Sequence, residues 1–154
     1  MKKLWLSERM ISKAFWSSLV GSFLLEEARE DSLLCASTTA PLVSKFPSEA
    51  GSISLESSYC LWLLAKYFAP KIICEVGTYI GRSTLNMGLG GIRTVEKIYT
   101  CDGTFDCMNF GILNLEAFSA EKKGIINKIE YFGKTMSDEL LKKIGESGEK
   151  IDLL

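Results

Sequence analysis

Residues 72–89 read IICEVGTYIGRSTLNMGL and hold the pattern that decides the fold. Residues 72–76 form a short apolar run, which is typical of a buried strand. Gly77 and Gly81 then frame a turn, and residues 83–89 are predicted to form a helix that the following glycines end. A strand followed by a turn and a helix is the unit from which parallel α/β sheets are built.

Strand and helix patterns alternate along the chain after this unit. Further strands are predicted at 97–101, 128–132 and 151–154, and helices at 110–122 and 137–143. The alternation predicts an α/β fold with a Rossmann-like, doubly wound parallel sheet. Because ligands of such sheets bind outside the carboxyl ends of the strands, we expect functional residues just after each strand.

An amphipathic helix is predicted near the N-terminus. Ser7 can cap it, and apolar residues recur at helical spacing over 7–29. An interfacial membrane helix needs a basic polar face, whereas this helix ends in acidic residues. We therefore expect its apolar face to pack against the core or a partner, and we predict no membrane association.

The next part of the chain is predicted to connect this helix to the sheet. Residues 31–54 are rich in Ser, Thr and Pro and predict a connecting segment. Ser54 is the predicted N-cap of a second helix, which ends before Pro70. The chain is thus divided into an N-terminal helix with its connecting segment, residues 1–53, and a ligand-binding domain over 54–154.

Composition excludes several classes of function. Lys and Arg number 18 against 19 Asp and Glu, a net charge of −1 with no long block of one sign, so a nucleic-acid partner is not expected. Histidine is absent, which removes Ser/His/Asp and Cys/His catalytic sites and His-ligated zinc. The five cysteines are odd in number and contain no C-x-x-C, which predicts reduced, mostly buried thiols in a cytoplasmic protein.

The glycine turn does not match two common phosphate-binding motifs. A dinucleotide fingerprint needs a middle glycine where Tyr79 stands. A P-loop needs four residues between its glycines and then Lys, whereas three residues separate Gly77 from Gly81 and Arg82 follows. The remaining pattern is E-x-G-x-x-x-G, which begins at Glu75.

This pattern suits S-adenosylmethionine, a ligand with cationic groups and no phosphate. Glu75 at the strand end favours an ammonium or sulfonium nearby, and the helix N-terminus near Ser83 can bind a carboxylate. Asp102, at the end of the second strand, can accept hydrogen bonds from both ribose hydroxyls. Glycines at 77 and 81 keep side chains away from the ligand.

The order and spacing of four segments resemble a known family. EVGTYIGRSTL at 75–85, YTCDG at 99–103, FGKTMSDEL at 132–140 and KIDLL at 150–154 are similar to class I S-adenosylmethionine-dependent methyltransferases. Within that class the segments are closest to the small O-methyltransferases typified by the catechol and caffeoyl-CoA enzymes and the related bacterial group. The resemblance implies methyl transfer to an oxygen or nitrogen of a small-molecule acceptor if the full domain is present.

The resemblance also implies a set of cofactor-binding residues. It places Thr135 near the adenine and Tyr79 in the turn, although Thr135 can equally be a turn or cap residue and Tyr79 a packing residue. No catalytic residue can be named, and no metal ligand is assigned. The residues that the resemblance places around S-adenosylmethionine are Glu75, Gly77, Tyr79, Gly81, Ser83, Asp102 and Thr135.

In the family the fourth strand continues beyond the segment that ends here at Leu154. We expect a chain with half of its sheet missing to carry the cofactor-binding half, and to be poorly stable, homo-oligomeric or paired with a second chain. The alternative function is a non-catalytic fragment that binds a nucleoside or a partner. A nicotinamide-dependent enzyme would share Asp102 but would need the missing middle glycine.

Overall fold

The computed structural model describes residues 22–43, 53–103 and 115–154 of the chain. These residues form an α/β structure with three parallel strands and five α-helices. A 3₁₀ helix, Gly124–Lys128, joins the fourth helix to the third strand. The elements in chain order are α1 Ser22–Val43, α2 Leu55–Phe68, β1 Ile72–Val76, α3 Arg82–Gly90, β2 Lys97–Asp102, α4 Ala120–Lys123, β3 Ile129–Gly133 and α5 Ser137–Ser147.

The sheet has β2 at its centre, with β1 and β3 paired to it in parallel. The register brings Glu75 opposite Thr100 and Asp102 opposite Gly133, so the three carboxyl ends lie at one edge of the sheet. The three strands predicted at these places are confirmed, with boundaries that move by one residue.

The predicted fourth strand is observed as one parallel bridge between Leu153 and Ile73. The Cys74 amide donates to the Leu153 carbonyl at 2.8 Å, and the Asp152 amide donates to the Ile72 carbonyl at 3.0 Å. Because β2 occupies one edge of β1, this segment lies along the other edge. The spatial order is therefore the C-terminal segment, β1, β2 and β3.

Side chains alternate between two cores because successive strand residues point to opposite faces of the sheet. Ile73 and Ile98 point to one face of the sheet, which we call the large face. There they lie in the larger core with buried side chains of α1, α2 and α3. Cys74, Tyr99 and Cys101 point to the other side, the small face, which is covered by α5.

Helix α2 begins where the sequence predicts. The Ser54 hydroxyl accepts a hydrogen bond from the Ser57 amide at 3.2 Å, which satisfies one free amide of the first turn. The helix ends at Phe68, and the left-handed backbone of its C-cap residue Ala69 (φ 47°) turns the chain into Pro70.

The prediction that 31–54 is a connecting segment is wrong over 31–43, where α1 continues. Inside this helix the Thr39 hydroxyl donates to the Cys35 carbonyl at 2.8 Å, and the Ser37 hydroxyl donates to the Leu34 carbonyl at 2.9 Å. These bonds satisfy hydroxyl groups that otherwise favour turns. Burial of one side of α1 against the large core then outweighs its weak helix propensity.

The helix predicted over 110–122 is wrong at residues 115–119, which form turns. The Ser119 hydroxyl accepts from the Lys122 amide at 3.3 Å and caps a short helix that starts at Ala120. Residues 110–114 lie outside the described residues, as do residues 7–21 of the predicted N-terminal helix; its remainder, 22–29, is helical.

The described cysteines are free thiols: Cys35, Cys74 and Cys101 are buried, and Cys60 is exposed. This agrees with the predicted reduced state, and Cys107 lies outside the described residues. None of the helices described here combines the length and apolar character needed to cross a bilayer.

Candidate functional site

The turn between β1 and α3 has the backbone that its glycines allow. Gly77 and Gly81 have φ angles of 91° and 75°, and Tyr79 has a φ of 45°. A Cβ atom placed on Gly77 would meet no atom within 4 Å. The turn therefore needs glycine at 77 for its positive φ, and the space beside this residue is open.

The turn is bonded to the neighbouring strand. The amides of Gly77 and Thr78 both donate to the Cys101 carbonyl, at 2.8 and 3.1 Å, and the Gly81 amide donates back to the Thr78 carbonyl at 2.8 Å. These three bonds fix the turn over the carboxyl end of β2.

Asp102 joins the turn to the ends of β2 and β3. Its side-chain Oδ2 accepts from the Tyr79 amide at 3.0 Å, and its carbonyl accepts from the Thr135 amide at 3.1 Å. The Thr135 hydroxyl donates to the Gly133 carbonyl at 3.3 Å. The structure thus brings together the three regions that the sequence places after successive strands.

Glu75 is buried and bonded to hydroxyl groups of this chain. Its Oε2 accepts from Thr84 Oγ1 at 2.5 Å and from Thr100 Oγ1 at 2.6 Å. Burial raises the pKa of Glu75, while hydrogen bonds from Ser83, Thr100 and Thr84 act in the opposite direction. Hydroxyl groups of this chain therefore already donate hydrogen bonds to Oε2 of the carboxylate that the sequence predicts to lie near a cationic group of the ligand.

The remaining predicted residues occupy different positions. The Tyr79 ring packs in the large core, so this residue contributes to the site through its backbone amide. Ser83 is half-buried in the first turn of α3, and Thr135 is half-buried just after β3.

Sequence reasoning missed the threonines that surround Glu75. Thr78, Thr84 and Thr100 are all almost fully buried, which is unusual for a polar side chain. Thr100 faces Glu75 across the parallel pair of β1 and β2. The sequence does show one polar residue inside each of two predicted strands, Glu75 and Thr100. It does not show the strand register that places these two residues opposite each other.

A cavity of about 450 Å³ lies beside the outer edge of β1. Apolar side chains of α2 line it together with Leu153 and Leu154, and Glu75 is the charged residue of its lining. Within residues 22–43, 53–103 and 115–154, no three Cys, Asp or Glu side chains are arranged to hold a metal ion.

No model of a known protein family matches the chain, and no curated protein sequence matches it either. Its function is therefore inferred from the residues and their geometry.

Proposed function

We propose that this chain carries the S-adenosylmethionine-binding part of a class I methyltransferase that acts on an oxygen or nitrogen of a small molecule. The observation that carries the proposal is the hydrogen bond from the Tyr79 amide to Asp102 Oδ2. It brings the acidic residue at the end of β2 against the glycine turn that follows β1.

The strand order supports a Rossmann-like sheet. From β1 the chain builds outward through β2 to β3, and the segment containing Leu153 then returns to the opposite edge of β1. The direction of sheet building thus reverses at β1. In doubly wound sheets the ligand binds outside the strand ends at such a reversal, which is where the glycine turn lies.

The charges at this edge favour a ligand without a pyrophosphate. Glu75 is buried near the end of β1, just before the glycine turn, where a negative charge would repel a phosphate. A carboxylate has about four acceptor positions, so Asp102 can hold the Tyr79 amide and also accept ribose hydroxyls. The first turn of α3, with Ser83, supplies amide donors for the carboxylate of a methionine moiety.

S-adenosylmethionine supplies a methyl group that its sulfonium already activates for transfer to a nucleophile. The protein then has to bind, orient and desolvate the reactants. In this proposal the described residues of this chain bind and orient the cofactor. The absence of histidine is no obstacle to such a reaction, since any proton can leave through an acidic residue, a lysine or bound water.

The test is calorimetric titration of the folded chain with S-adenosylhomocysteine, with NAD titrated in parallel. Asp102→Ala should weaken binding by roughly 10- to 150-fold, because a hydrogen bond to a charged group contributes about 1.5 to 3 kcal/mol. Glu146→Ala removes an exposed carboxylate on α5 and should leave the dissociation constant unchanged.

Two outcomes would contradict the proposal in different ways. Unchanged affinity in Asp102→Ala would remove Asp102 from the site. A folded wild-type chain that binds no S-adenosylhomocysteine would exclude the methyltransferase and favour the alternative, a module that binds another nucleoside or a partner.

A further inference from the structure

A continuous chain of buried polar side chains lies beneath the glycine turn. Thr78 Oγ1 is 2.6 Å from Thr100 Oγ1, which is 2.6 Å from Glu75 Oε2. Thr84 Oγ1 reaches the same carboxylate oxygen at 2.5 Å. Thr84 and Thr100 are fully buried, Thr78 is 2% exposed and Glu75 is 9% exposed.

The direction of each hydrogen bond follows from the number of protons available. The single hydroxyl proton of Thr100 is donated to Glu75, so Thr78 must donate to Thr100. Thr84 donates to Glu75 from the other side. Two donors at one carboxylate oxygen fit an ionised Glu75, which accepts only.

This chain of hydrogen bonds ties Glu75 to both ends of the turn. Thr78 is the second residue of the turn, and its carbonyl accepts the Gly81 amide. Thr84 lies in the first turn of α3, directly after the glycine turn. The amide that contacts Asp102 belongs to Tyr79, the neighbour of Thr78.

Glu75 occupies this position at a cost to stability. No Lys or Arg of the described chain forms a salt bridge with it. Burial raises its pKa, so its contribution to stability is largest below the ordinary pKa of a glutamate and is lost as the pH rises through the folded value. At any pH where Glu75 is ionised, an uncharged residue of the same shape would be less costly here.

We propose that Glu75 is a positioning residue, whose carboxylate holds the glycine turn and the start of α3 in their binding geometry through Thr100, Thr78 and Thr84. In this role it acts through the turn, because the hydroxyls of Thr84 and Thr100 both donate to its Oε2. This inference rests on the proposed function for the identity of the ligand, and it gives a physical form to the cofactor-binding role that the resemblance implies for Glu75.

The first measurement is amide hydrogen exchange by NMR on the intact chain without ligand. Thr100→Val keeps the side-chain shape but removes the hydroxyl, and it should speed exchange at Thr78, Tyr79 and Gly81 by roughly 5- to 10-fold, the effect of one lost hydrogen bond on local opening. Thr100→Ser restores the hydroxyl and should restore slow exchange. Amides of Leu140 and Ile144 in α5 serve as controls and should not change.

Unchanged exchange at the turn in folded Thr100→Val would overturn the proposal. If that variant does not fold, Thr84→Val is compared with Thr84→Ser at the amides of the turn and of the first turn of α3, by the same criterion. In both comparisons the serine variant should restore slow exchange while the valine variant does not. Loss of packing alone does not predict this difference, because serine lacks the methyl group that valine keeps.

The second measurement separates positioning from simple structural support. Glu75→Gln should bind S-adenosylhomocysteine roughly 5- to 10-fold more weakly, because hydrogen bonds to a neutral acceptor are weaker. Its Tm should stay equal or rise, since the buried charge is gone. A residue with only a structural role would lower the Tm and the affinity together, and that result would contradict the proposal.

The failure of this inference can be distinguished from the failure of the proposed function. If Glu75→Gln loses affinity while turn exchange is unchanged, Glu75 contacts the ligand directly and the positioning role is wrong. If the wild-type chain binds no S-adenosylhomocysteine, the proposed function is wrong, and the exchange data still decide whether Glu75 holds the turn.

Discussion

The two faces of the sheet differ in depth and in the polar groups that they bury. On the large face, Asp31 is buried in α1 and accepts from Trp62 Nε1 at 2.9 Å and from Lys122 Nζ at 2.6 Å. On the small face one amphipathic helix covers the strands, and the charged pair Lys97 and Glu149 lies at its partly exposed rim.

The difference shows which face supports the candidate site. Glu75 and Thr100 share the side of the strands that carries Ile73 and Ile98, and Glu75 contacts α3 through Thr84. The geometry of the glycine turn therefore depends on how α1, α2 and α3 pack. Helix α5 stabilises the sheet from the side away from Glu75.

The sharpest test of this difference compares one substitution on each face. Leu85→Ala in α3 should destabilise by about 4 to 5 kcal/mol, and Leu140→Ala in α5 by about 2 to 3, although both side chains are fully buried. The cavity left by Leu85 is enclosed by several elements, whereas a single helix can settle over the gap left by Leu140. Urea unfolding of both variants measures the two costs, and equal costs would remove the distinction.

A second test uses two helical glycines. A Cβ on Gly90 would lie 2.1 Å from the Trp62 carbonyl oxygen, so α2 and α3 must separate in Gly90→Ala, at a cost of about 3 kcal/mol. Gly145 in α5 has no atom within 4 Å of such a Cβ, and Gly145→Ala should stabilise by about 0.5 to 1 kcal/mol. Opposite shifts in Tm are expected, and a stable Gly90→Ala variant would contradict the close packing on the large face.

The smallest expected effect concerns the rim of the small face. Hydrogen bonds from Tyr99 and then Lys97 hold the pKa of Glu149 below its ordinary value near 4.5. A lowered folded pKa gives stability that is present above the ordinary value and is lost as the pH falls through the folded one. The stability difference between wild type and Glu149→Gln should therefore shrink between pH 7 and pH 3. Glu146→Gln, a change at an exposed position of α5, is the control; a constant difference would show that the contact is not coupled to ionisation.

The strands were predictable because their signals are local. Ile72–Val76 is a short, mostly apolar run followed by Gly77, and Lys97–Asp102 ends at the turn signal Asp102-Gly103. Ser54 is a helix cap that needs no tertiary information. Helix α1 was mispredicted after residue 30, because its Ser and Thr residues favour turns until the large core buries them.

The candidate site was predictable in its outline and not in its connections. The strand ends and their parallel order predict that the glycine turn and Asp102 meet, and they do. The hydrogen-bond partners of Glu75 depend on the strand register, which places Thr100 beside it. They also depend on the path of the glycine turn, which brings Thr84 of α3 within hydrogen-bond distance. Both are tertiary facts that no local pattern contains.

The start of β1 has a consequence for the order of folding. The Asp152 carboxylate accepts the amides of Lys71 and Ile72 at 2.9 and 3.1 Å, and it lies 81 residues from Lys71 in the chain. Glu75 and Thr100, by contrast, are only 25 residues apart. Because closing a longer loop costs more entropy, the pairing of β1 with β2 is favoured to form before the contact with Asp152. Late-forming contacts act more on the unfolding rate than on the folding rate, so we expect Asp152 to contribute chiefly to the lifetime of the folded sheet.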